Sequence, residues 1–165
     1  MLKIPKLRRA AALHTLRVEL KYMKVEIQLL TEKYIDAVVA LSDVCGLSKR
    51  DAAQLSKNIG RQDYLILVSL QMDEVTGFIE AQIIADEIHL YDVAVAPDHR
   101  REGIAKALIE ALARELFNVI LLEVRESNLA ARRLYEACGF SIDGVRKNYY
   151  QAPLEDAILM SRKLP

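Results

Sequence analysis

Apolar positions along the chain follow two different periods, and each period predicts a different kind of element. Residues 25–29 alternate apolar and polar side chains, as a strand buried on one face does. Further along, Ile104, Leu108 and Leu112 recur every four residues and therefore share one face of a helix. Residues 119–124 form a nearly continuous apolar run, which is typical of a strand covered on both faces. Because a strand also precedes that helix, we predict a parallel strand pair joined by a crossover helix.

The same reasoning assigns the other elements, which turn residues separate. The predicted strands are 25–29, 64–70, 75–85, 88–95, 119–124, 140–145 and 157–160. The predicted helices are 34–41, 48–59, 104–116 and 128–137. A capping box from Ser48 to Asp51 opens the second helix. This order predicts one α/β domain with a mixed central sheet of about seven strands flanked by four helices.

The composition favours a folded domain over a disordered or membrane-spanning chain. Of the 165 residues, 52% are hydrophobic, which is enough to form a core of domain size. Charged residues interrupt every apolar stretch well before the roughly 18 residues that a spanning helix needs. Cys45 and Cys138 match no disulfide or zinc spacing, and His14, His89 and His99 are scattered. We therefore expect buried thiols, no metal, no membrane association and a cytoplasmic location.

The formal net charge of zero combines a basic beginning with an acidic remainder. Residues 1–22 hold six basic residues against Glu19 alone, a net +5, so the other 17 basic and 22 acidic residues give −5. Because no long cationic surface results, we expect no direct binding to nucleic acid. The basic tract fits an N-terminal helix, a short targeting segment, or sequence ahead of a start at Met23. We favour the last interpretation, with residues 23–165 as the domain.

A charged turn containing a glycine lies between a predicted strand and a predicted helix. Residues 100–105 read Arg-Arg-Glu-Gly-Ile-Ala. A helix N-terminus presents free N–H groups and a partial positive charge, and Gly103 lets the backbone approach a phosphate closely. The segment matches neither the P-loop nor the dinucleotide-binding glycine pattern. Taken alone, it is better explained as an ordinary charged turn.

A second set of motifs gives the turn at 100–105 a more specific interpretation. Residues 122–128 read Leu-Glu-Val-Arg-Glu-Ser-Asn, and residues 130–140 read Ala-Ala-Arg-Arg-Leu-Tyr-Glu-Ala-Cys-Gly-Phe. With the turn at 100–105, they resemble the GNAT superfamily of acetyl-CoA-dependent N-acetyltransferases. Its R/Q-x-x-G-x-G/A turn and N-x-x-A-x-x-L-Y-E-x-x-G-F segment are both matched, with Ala105 where glycine is common. The resemblance extends from about residue 25 to 164 and implies the GNAT fold.

The end of the chain narrows the resemblance to one branch. Residues 146–150 read Arg-Lys-Asn-Tyr-Tyr, and residues 155–157 read Glu-Asp-Ala. This is similar to the ending of the ribosomal-protein-alanine N-acetyltransferases (RimI type) and of their eukaryotic protein N-terminal counterparts. Residues 45–48 read Cys-Gly-Leu-Ser, where that family usually carries Pro-Trp-Ser, and the chain has no tryptophan. This departure concerns the substrate side of the site more than the coenzyme side.

The resemblance implies a role for each residue of the candidate site. Glu123 would act as the general base and Tyr135 as the general acid toward the leaving sulfur. Tyr149 and Tyr150 would line the groove for the first residues of the substrate. The residues expected to bind acetyl-CoA, the two valines through their backbone, are Val93, Val95, Arg100, Arg101, Glu102, Gly103, Ile104, Ala105 and Asn128.

The residues also allow a structural alternative for each role. Glu123 could form an ion pair with Arg125 or Arg101. Asn128 could simply cap the helix that follows it. The tyrosine pair could pack at the edge of the sheet. Asp92 could assist proton removal, although a carboxylate facing the hairpin is the simpler interpretation.

These roles predict an acetyl-CoA-dependent protein N-terminal acetyltransferase that modifies the N-terminal alanine of a ribosomal protein. The acceptor amine attacks the thioester directly in a ternary complex, so the protein partner is the N-terminus of the substrate. An α-amino group, with a pKa of roughly 7.7–8.0, is easier to deprotonate than a lysine with a pKa of about 10.4. The alternatives are a small-amine or polyamine acetyltransferase of the same fold and a non-catalytic CoA-binding module.

Overall fold

A single mixed sheet of eight strands organises the computed structural model, which describes residues 15–20, 23–114 and 118–164. The strands are β1 (Leu16–Leu20), β2 (Met23–Leu29), β3 (Tyr64–Gln71), β4 (Glu74–Ile84), β5 (Glu87–Val95), β6 (Val119–Arg125), β7 (Ser141–Gln151) and β8 (Leu154–Lys163). The helices are α1 (Ile35–Val44), α2 (Ala52–Asn58), α3 (Ile104–Leu112) and α4 (Leu129–Ala137). The spatial order of the strands is β1-β2-β3-β4-β5-β6-β8-β7, with β5 and β6 forming the parallel pair.

The seven predicted strands and four predicted helices are all present, and β1 is an eighth strand that we did not predict. It pairs antiparallel with β2, from Leu16 opposite Ile27 to Leu20 opposite Met23. Its apolar side chains alternate with charged ones and pack against the larger hydrophobic core. The sheet thus begins seven residues ahead of the predicted boundary at Met23. A native start at Met23 remains a prediction, and residues 1–14 lie outside the described residues.

The start of α2 differs from the predicted capping box. The side chain of Asp51, rather than that of Ser48, caps the helix, because its Oδ1 accepts a hydrogen bond from the backbone nitrogen of Ala53 at 2.9 Å. Residues 48–50 therefore belong to the loop between α1 and α2. This places Arg50 in a loop instead of in a helix.

The two faces of the sheet carry two separate hydrophobic clusters. On one face, α3 and α4 pack through residues such as Ile104, Leu108 and Tyr135 in the larger cluster. On the other face, α1 and α2 pack through Val38 and Leu55 against residues of β3, β4 and β5 in the smaller cluster. We refer to these as the α3–α4 face and the α1–α2 face.

Strand β6 is covered on one face only, which corrects the prediction of a strand buried on both. Ile120, Leu122 and Val124 are buried in the cluster of the α3–α4 face. Their neighbours in the alternation, including Leu121 and Glu123, are only half-buried on the opposite face. The physical reason is that α1 and α2 pack over β3, β4 and β5. The α1–α2 face of β6 is therefore accessible at Glu123.

The parallel strands β5 and β6 separate partway along their length. Their pairing runs from Glu87 opposite Val119 to Leu90 opposite Leu122, where it ends. Strand β5 nevertheless continues to Val95, and β6 continues to Arg125. A gap between neighbouring parallel strands is a natural binding site, because backbone groups on its walls can bond a ligand. Across the described part of the chain, no helix has the length and apolarity needed to cross a membrane.

Candidate active site

The turn before α3 has the backbone geometry of an anion-binding site. Gly103 is the N-cap of α3 and adopts a left-handed conformation, with φ of 90°. The backbone nitrogen of Ala107 bonds the carbonyl oxygen of Gly103 at 3.0 Å, so the N–H groups just before it point out of the helix end. A side chain at Gly103 would have space, since its Cβ would lie 3.6 Å from Leu20 Cδ2. Glycine is therefore needed for the conformation rather than for the space.

The side chains of the turn are directed away from its backbone. Arg100 donates from Nε to the carbonyl oxygen of Val95 at 3.3 Å. His99 Nδ1 lies 3.2 Å from a carboxylate oxygen of Glu102. Ile104 is buried in the core, so only its backbone can face a ligand. The predicted segment 100–105 thus consists of a turn and the first two residues of α3, and the groups that it offers to a ligand are backbone N–H groups.

The backbone of the last residues of β5 faces the gap. Ala96 donates from its backbone nitrogen to the carbonyl oxygen of Thr76 at 2.9 Å. In an antiparallel ladder every second residue bonds the same neighbour, so Ala94 also bonds toward β4. Val93 and Val95 then direct their N–H and C=O groups away from β4, as their predicted backbone role requires. The carbonyl oxygen of Val95, however, already accepts from Arg100 Nε and from Cys45 Sγ.

Glu123 lies on the wall of the gap, one residue beyond the last pair of β5 and β6. Its side chain is 28% exposed and forms an ion pair with Arg146, at 2.7 Å between Oε1 and Nη1. The hydroxyl of Tyr149 also bonds the carboxylate, and this hydrogen bond raises the pKa of Tyr149. The ion pair considered from the sequence is thus present, but with Arg146 in place of Arg125 or Arg101.

Arg125 instead holds the turn between β7 and β8. Its Nη1 lies 3.0 Å from a carboxylate oxygen of Glu155, and its Nη2 donates to the carbonyl oxygen of Ala152 at 3.1 Å. The backbone nitrogen of Ser127 also donates to Glu155, and this bond, with the charge of Arg125, lowers the pKa of Glu155. These contacts fix the end of β6 to the segment that carries the tyrosine pair.

The tyrosine pair sits on an irregular stretch of β7 beside Glu123. The rings of Tyr149 and Tyr150 meet edge to face, with their centroids 5.0 Å apart. Strand β7 departs from regular pairing between Arg146 and Tyr150, where Asn148 has a positive φ of 53°. Asp156 stabilises this bulge by accepting a hydrogen bond from the backbone nitrogen of Asn148 at 2.9 Å. The Glu-Asp-Ala motif therefore supports the Asn-Tyr-Tyr motif directly.

Arginine side chains cover the faces of both tyrosine rings. The guanidinium carbon of Arg146 lies 4.9 Å from the ring centre of Tyr149, and that of Arg125 lies 4.1 Å from the ring centre of Tyr150. Tyr149 remains 42% exposed. One ring is thus available to a substrate, while the other is held in place.

Tyr135, the predicted general acid, lies on the opposite face of the sheet. It is 8% exposed, and its ring packs against Phe140 with the centroids 5.6 Å apart. Burial raises the pKa of its hydroxyl, and the negative charge of Asp92 raises it further. Tyr135 thus belongs to the α3–α4 face and Glu123 to the other, so the two predicted catalytic side chains lie on opposite faces of the sheet.

Asn128 occupies the N-cap of α4, which is the structural alternative to a coenzyme-binding role. Its Oδ1 accepts a hydrogen bond from the backbone nitrogen of Ala131 at 3.1 Å. One side-chain atom is therefore engaged in capping. The coenzyme contact of Asn128 remains a prediction.

Arg50 and Glu80 are part of the site and were not identified from the sequence. Arg50 Nη2 donates to a carboxylate oxygen of Asp92 at 2.8 Å and also to Glu80. Tyr64 donates its hydroxyl to the other carboxylate oxygen of Glu80. The sequence offered one signal for this cluster: the predicted apolar strands 75–85 and 88–95 each contain a single acidic residue. Asp92 is thus not free, because it is paired with Arg50 and lies opposite Glu80 in the hairpin of β4 and β5.

These features correspond to a known family. A family model described as acetyltransferase (GNAT) family matches residues 34–140. This chain belongs to the GNAT family. The predicted GNAT fold is confirmed, and the described residues form eight strands and four α-helices.

The relatives and solved structures point to the predicted branch of the GNAT family. A [ribosomal protein bS18]-alanine N-acetyltransferase of Escherichia coli (strain K12) is 40% identical over 104 residues, which are 59% of this chain and 70% of the relative. The crystal structure of the ribosomal-protein-S18-alanine N-acetyltransferase from Escherichia coli has a TM-score of 0.75 and 32% identity, covering 85% of this chain and 94% of that chain. The resemblance to the RimI type is confirmed.

A further GNAT structure contains the expected cosubstrate. It is described as a streptothricin acetyltransferase from Bacillus anthracis str. Ames in complex with acetyl coenzyme A. Its TM-score is 0.62 at 26% identity, and the match covers 66% of this chain and 67% of that chain. Among residues 15–20, 23–114 and 118–164, no cluster of three or more His, Cys, Asp or Glu side chains is placed to hold a metal ion.

Proposed function

We propose that this GNAT enzyme transfers acetyl from acetyl-CoA to the N-terminal alanine of a ribosomal protein, by direct attack in a ternary complex. The observation that carries the proposal is the position of Glu123 just beyond the last β5–β6 pair, with Tyr135 buried on the opposite face of the sheet. The name of the Escherichia coli relative supports the choice of acceptor. Action on a ribosomal protein would place the enzyme in the cytoplasm.

The coenzyme side of the gap would suit acetyl-CoA, because it offers the partial positive charge of the α3 N-terminus and exposed backbone groups. The N–H groups at the start of α3, beginning at Gly103, would bind the pyrophosphate. The backbone groups of Val93 and Val95 would hold the pantetheine arm along β5. When bound, acetyl-CoA supplies the acetyl group as a thioester.

Glu123 would remove the proton of the acceptor amine, directly or through a water molecule. It lies on the accessible α1–α2 face of β6, so an acceptor can reach it without displacing a helix. The ion pair with Arg146 orients the carboxylate. A modest base is sufficient, because an α-amino group has a pKa of only roughly 7.7–8.0.

Tyr135 would donate a hydrogen bond or a proton to the leaving sulfur. Burial raises the pKa of its hydroxyl, so the proton stays on the oxygen throughout the neutral range. A protonated phenol in a site removed from water is an effective donor toward developing negative charge. Base and acid would then act on different faces and would not compete for one position.

The substrate groove would run past the exposed ring of Tyr149. This ring lies beside Glu123, and the bulge at Asn148 directs the Tyr-Tyr segment toward the end of β6. It would form one wall for the first residues of a peptide. An extended chain terminus would bind more easily along an open wall than in a closed pocket.

The acceptor is tested by mass spectrometry with acetyl-CoA and peptides that differ only in their first residue. We expect one acetyl group on the α-amine of the alanine peptide. A peptide with a blocked N-terminus and an internal lysine is the control, and it should stay unmodified. Preferential acetylation of that lysine, or transfer to diamines alone, would contradict the proposal.

A further inference from the structure

A cavity of about 490 Å³ opens on the α1–α2 face beside the active-site gap. It is lined by the loop before α2, by α2 itself and by side chains of β3, β4 and β5. Asp92 is part of its wall and lies two residues beyond Leu90, the last residue of β5 that pairs with β6. The cavity therefore adjoins the position where an acceptor amine would meet Glu123.

Two carboxylates stand next to each other in this cavity. Glu80 of β4 lies directly opposite Asp92 of β5 in the antiparallel ladder, so their side chains share one face. The side chains are 11% and 31% exposed. Like charges at such a position repel each other and are poorly solvated. Without a counter-ion, this pair would attract any small cation that entered the cavity.

Arg50 supplies that counter-ion from within the chain. Its side chain is 8% exposed, and Nη2 reaches both carboxylates, with 2.8 Å to Asp92. The guanidinium also lies over the ring of Phe78, at 4.9 Å from the centroid. Within the described part of the chain, Nε of Arg50 is buried and has no hydrogen-bond partner. The two carboxylates therefore hold the side chain of Arg50 in place, although not all of its N–H donors have hydrogen-bond partners.

We propose that Arg50 determines acceptor specificity by occupying the position that an ammonium group of a cationic acceptor would take. The inference rests on the proposed function and deepens it. Arg50 brings the charge of this trio from −2 to −1 and fills the space between the two carboxylates. An acceptor with a second positive charge, such as a linear diamine, is thereby excluded. A peptide that begins with an uncharged small residue is accepted.

The test compares acceptor kinetics of the wild type with those of Arg50→Met, which removes the charge and keeps the length. We expect the KM for 1,4-diaminobutane to fall about tenfold or more in Arg50→Met, because the acidic pair becomes available to an ammonium group. Arg50→Lys should keep the exclusion. Adding Asp92→Asn to Arg50→Met should abolish the gain.

Arg61→Met is the matched control, because Arg61 also lines the cavity but pairs with Asp63 at the surface. It should leave the KM for the diamine within about twofold, as loss of a surface pair has little effect. Circular dichroism confirms the fold of each variant. Arg50→Gln replaces Arg50→Met if the latter does not fold.

The outcomes separate this inference from the proposed function. If the wild type acetylates the alanine peptide and the neutral variants gain no diamine activity, the role of Arg50 is overturned and the proposed function stands. If the wild type ignores the alanine peptide and already acetylates the diamine, the proposed function fails, and the exclusion by Arg50 fails with it. An equal gain in Arg61→Met would also overturn the role of Arg50.

Discussion

At the scale of single residues, the chemistry depends on what surrounds two side chains. Glu123 is half-buried, bonded to Arg146 and approached by Tyr149 on the face that the helices leave open. Tyr135 is buried among apolar side chains on the other face. In the proposed mechanism, Glu123 accepts a proton from the incoming amine and Tyr135 donates toward the leaving sulfur. Substitutions at the two positions should therefore have separable effects.

Replacement of Glu123 by glutamine removes the basic group and keeps the size of the side chain. We expect kcat/KM to fall roughly 10²-fold or more, the usual contribution of a general base. The loss should be greatest at low pH and smaller at high pH, where the amine loses its proton without help. The measurement is the pH profile of kcat/KM with the alanine peptide.

Glu126→Gln is the control for that profile, because Glu126 is an exposed residue that directly follows the same strand. It should follow the wild-type curve. An acidic limb unchanged in Glu123→Gln would mean that Glu123 serves only its ion pair with Arg146.

Replacement of Tyr135 by phenylalanine removes the donor to the leaving sulfur. The rate should fall by roughly 10²-fold, as for other donors that act in the transition state, with no shift of the acidic limb. Since the pKa of Tyr135 is raised, its hydroxyl remains protonated above the usual value near 10, and the wild type should show no alkaline loss from this group below that pH. A full pH profile of both proteins checks this. A wild-type rate in Tyr135→Phe would remove the residue from the mechanism.

At the scale of elements, the start of α3 and the separation of β5 from β6 create the site. The helix begins at a left-handed glycine, and its first N–H groups have no partner within the helix. The pairing of the strands ends at Leu90 and Leu122, so the later backbone groups on this side of β5 are not bonded to β6. Both features are properties of the backbone, and substitutions should affect them through conformation.

Gly103→Ala tests the turn. Because φ is 90°, alanine is strained there by about 1–2 kcal/mol, and the turn should relax away from the anion-binding conformation. We expect the Kd for CoA, measured by calorimetry, to rise about tenfold, which corresponds to about 1.4 kcal/mol. Gly60→Ala provides the comparison, since Gly60 also has a positive φ and open space around it but lies at the end of α2. It should lose similar stability and keep the affinity for CoA. Equal Kd values in the two variants would contradict the assignment of the turn.

At the scale of the whole molecule, strand β1 extends the sheet beyond the predicted domain. Leu16, Val18 and Leu20 pack against the larger core, and Leu20 lies beside the turn at Gly103. The strand therefore couples the edge of the sheet to the coenzyme side. Its sequence alternates apolar and charged residues, but the high density of positive charge around it favoured a different interpretation.

A chain that begins at Met23 would lack this strand. The remaining seven strands include both walls of the gap, so we expect the shortened chain to fold and to retain activity. Its free energy of unfolding should be lower by on the order of 1–3 kcal/mol, because three partly buried apolar side chains are lost. Urea unfolding of both chains measures the difference. Equal stability would show that β1 contributes nothing to the fold, and failure to fold would show that it is essential.

The sequence alone was sufficient for features that depend on contiguous residues. The turn at 100–103 leads directly into α3, and segment 122–140 joins the end of β6 to α4, so their residue order largely sets their local geometry. The same holds for the periodicity that located seven strands and four helices. It also holds for the motifs that identified the GNAT family, since each lies within a short stretch of chain.

Only the tertiary structure decided which side chains meet across the sheet. Arg125 is two residues from Glu123 but bonds Glu155, whereas Arg146, on a strand two places away, bonds Glu123. Arg50 meets its carboxylates from a loop on the α1–α2 face. Such contacts depend on strand register, on the end of a ladder and on which face a helix covers. These are set by packing over the whole sheet, so no local pattern in the chain encodes them.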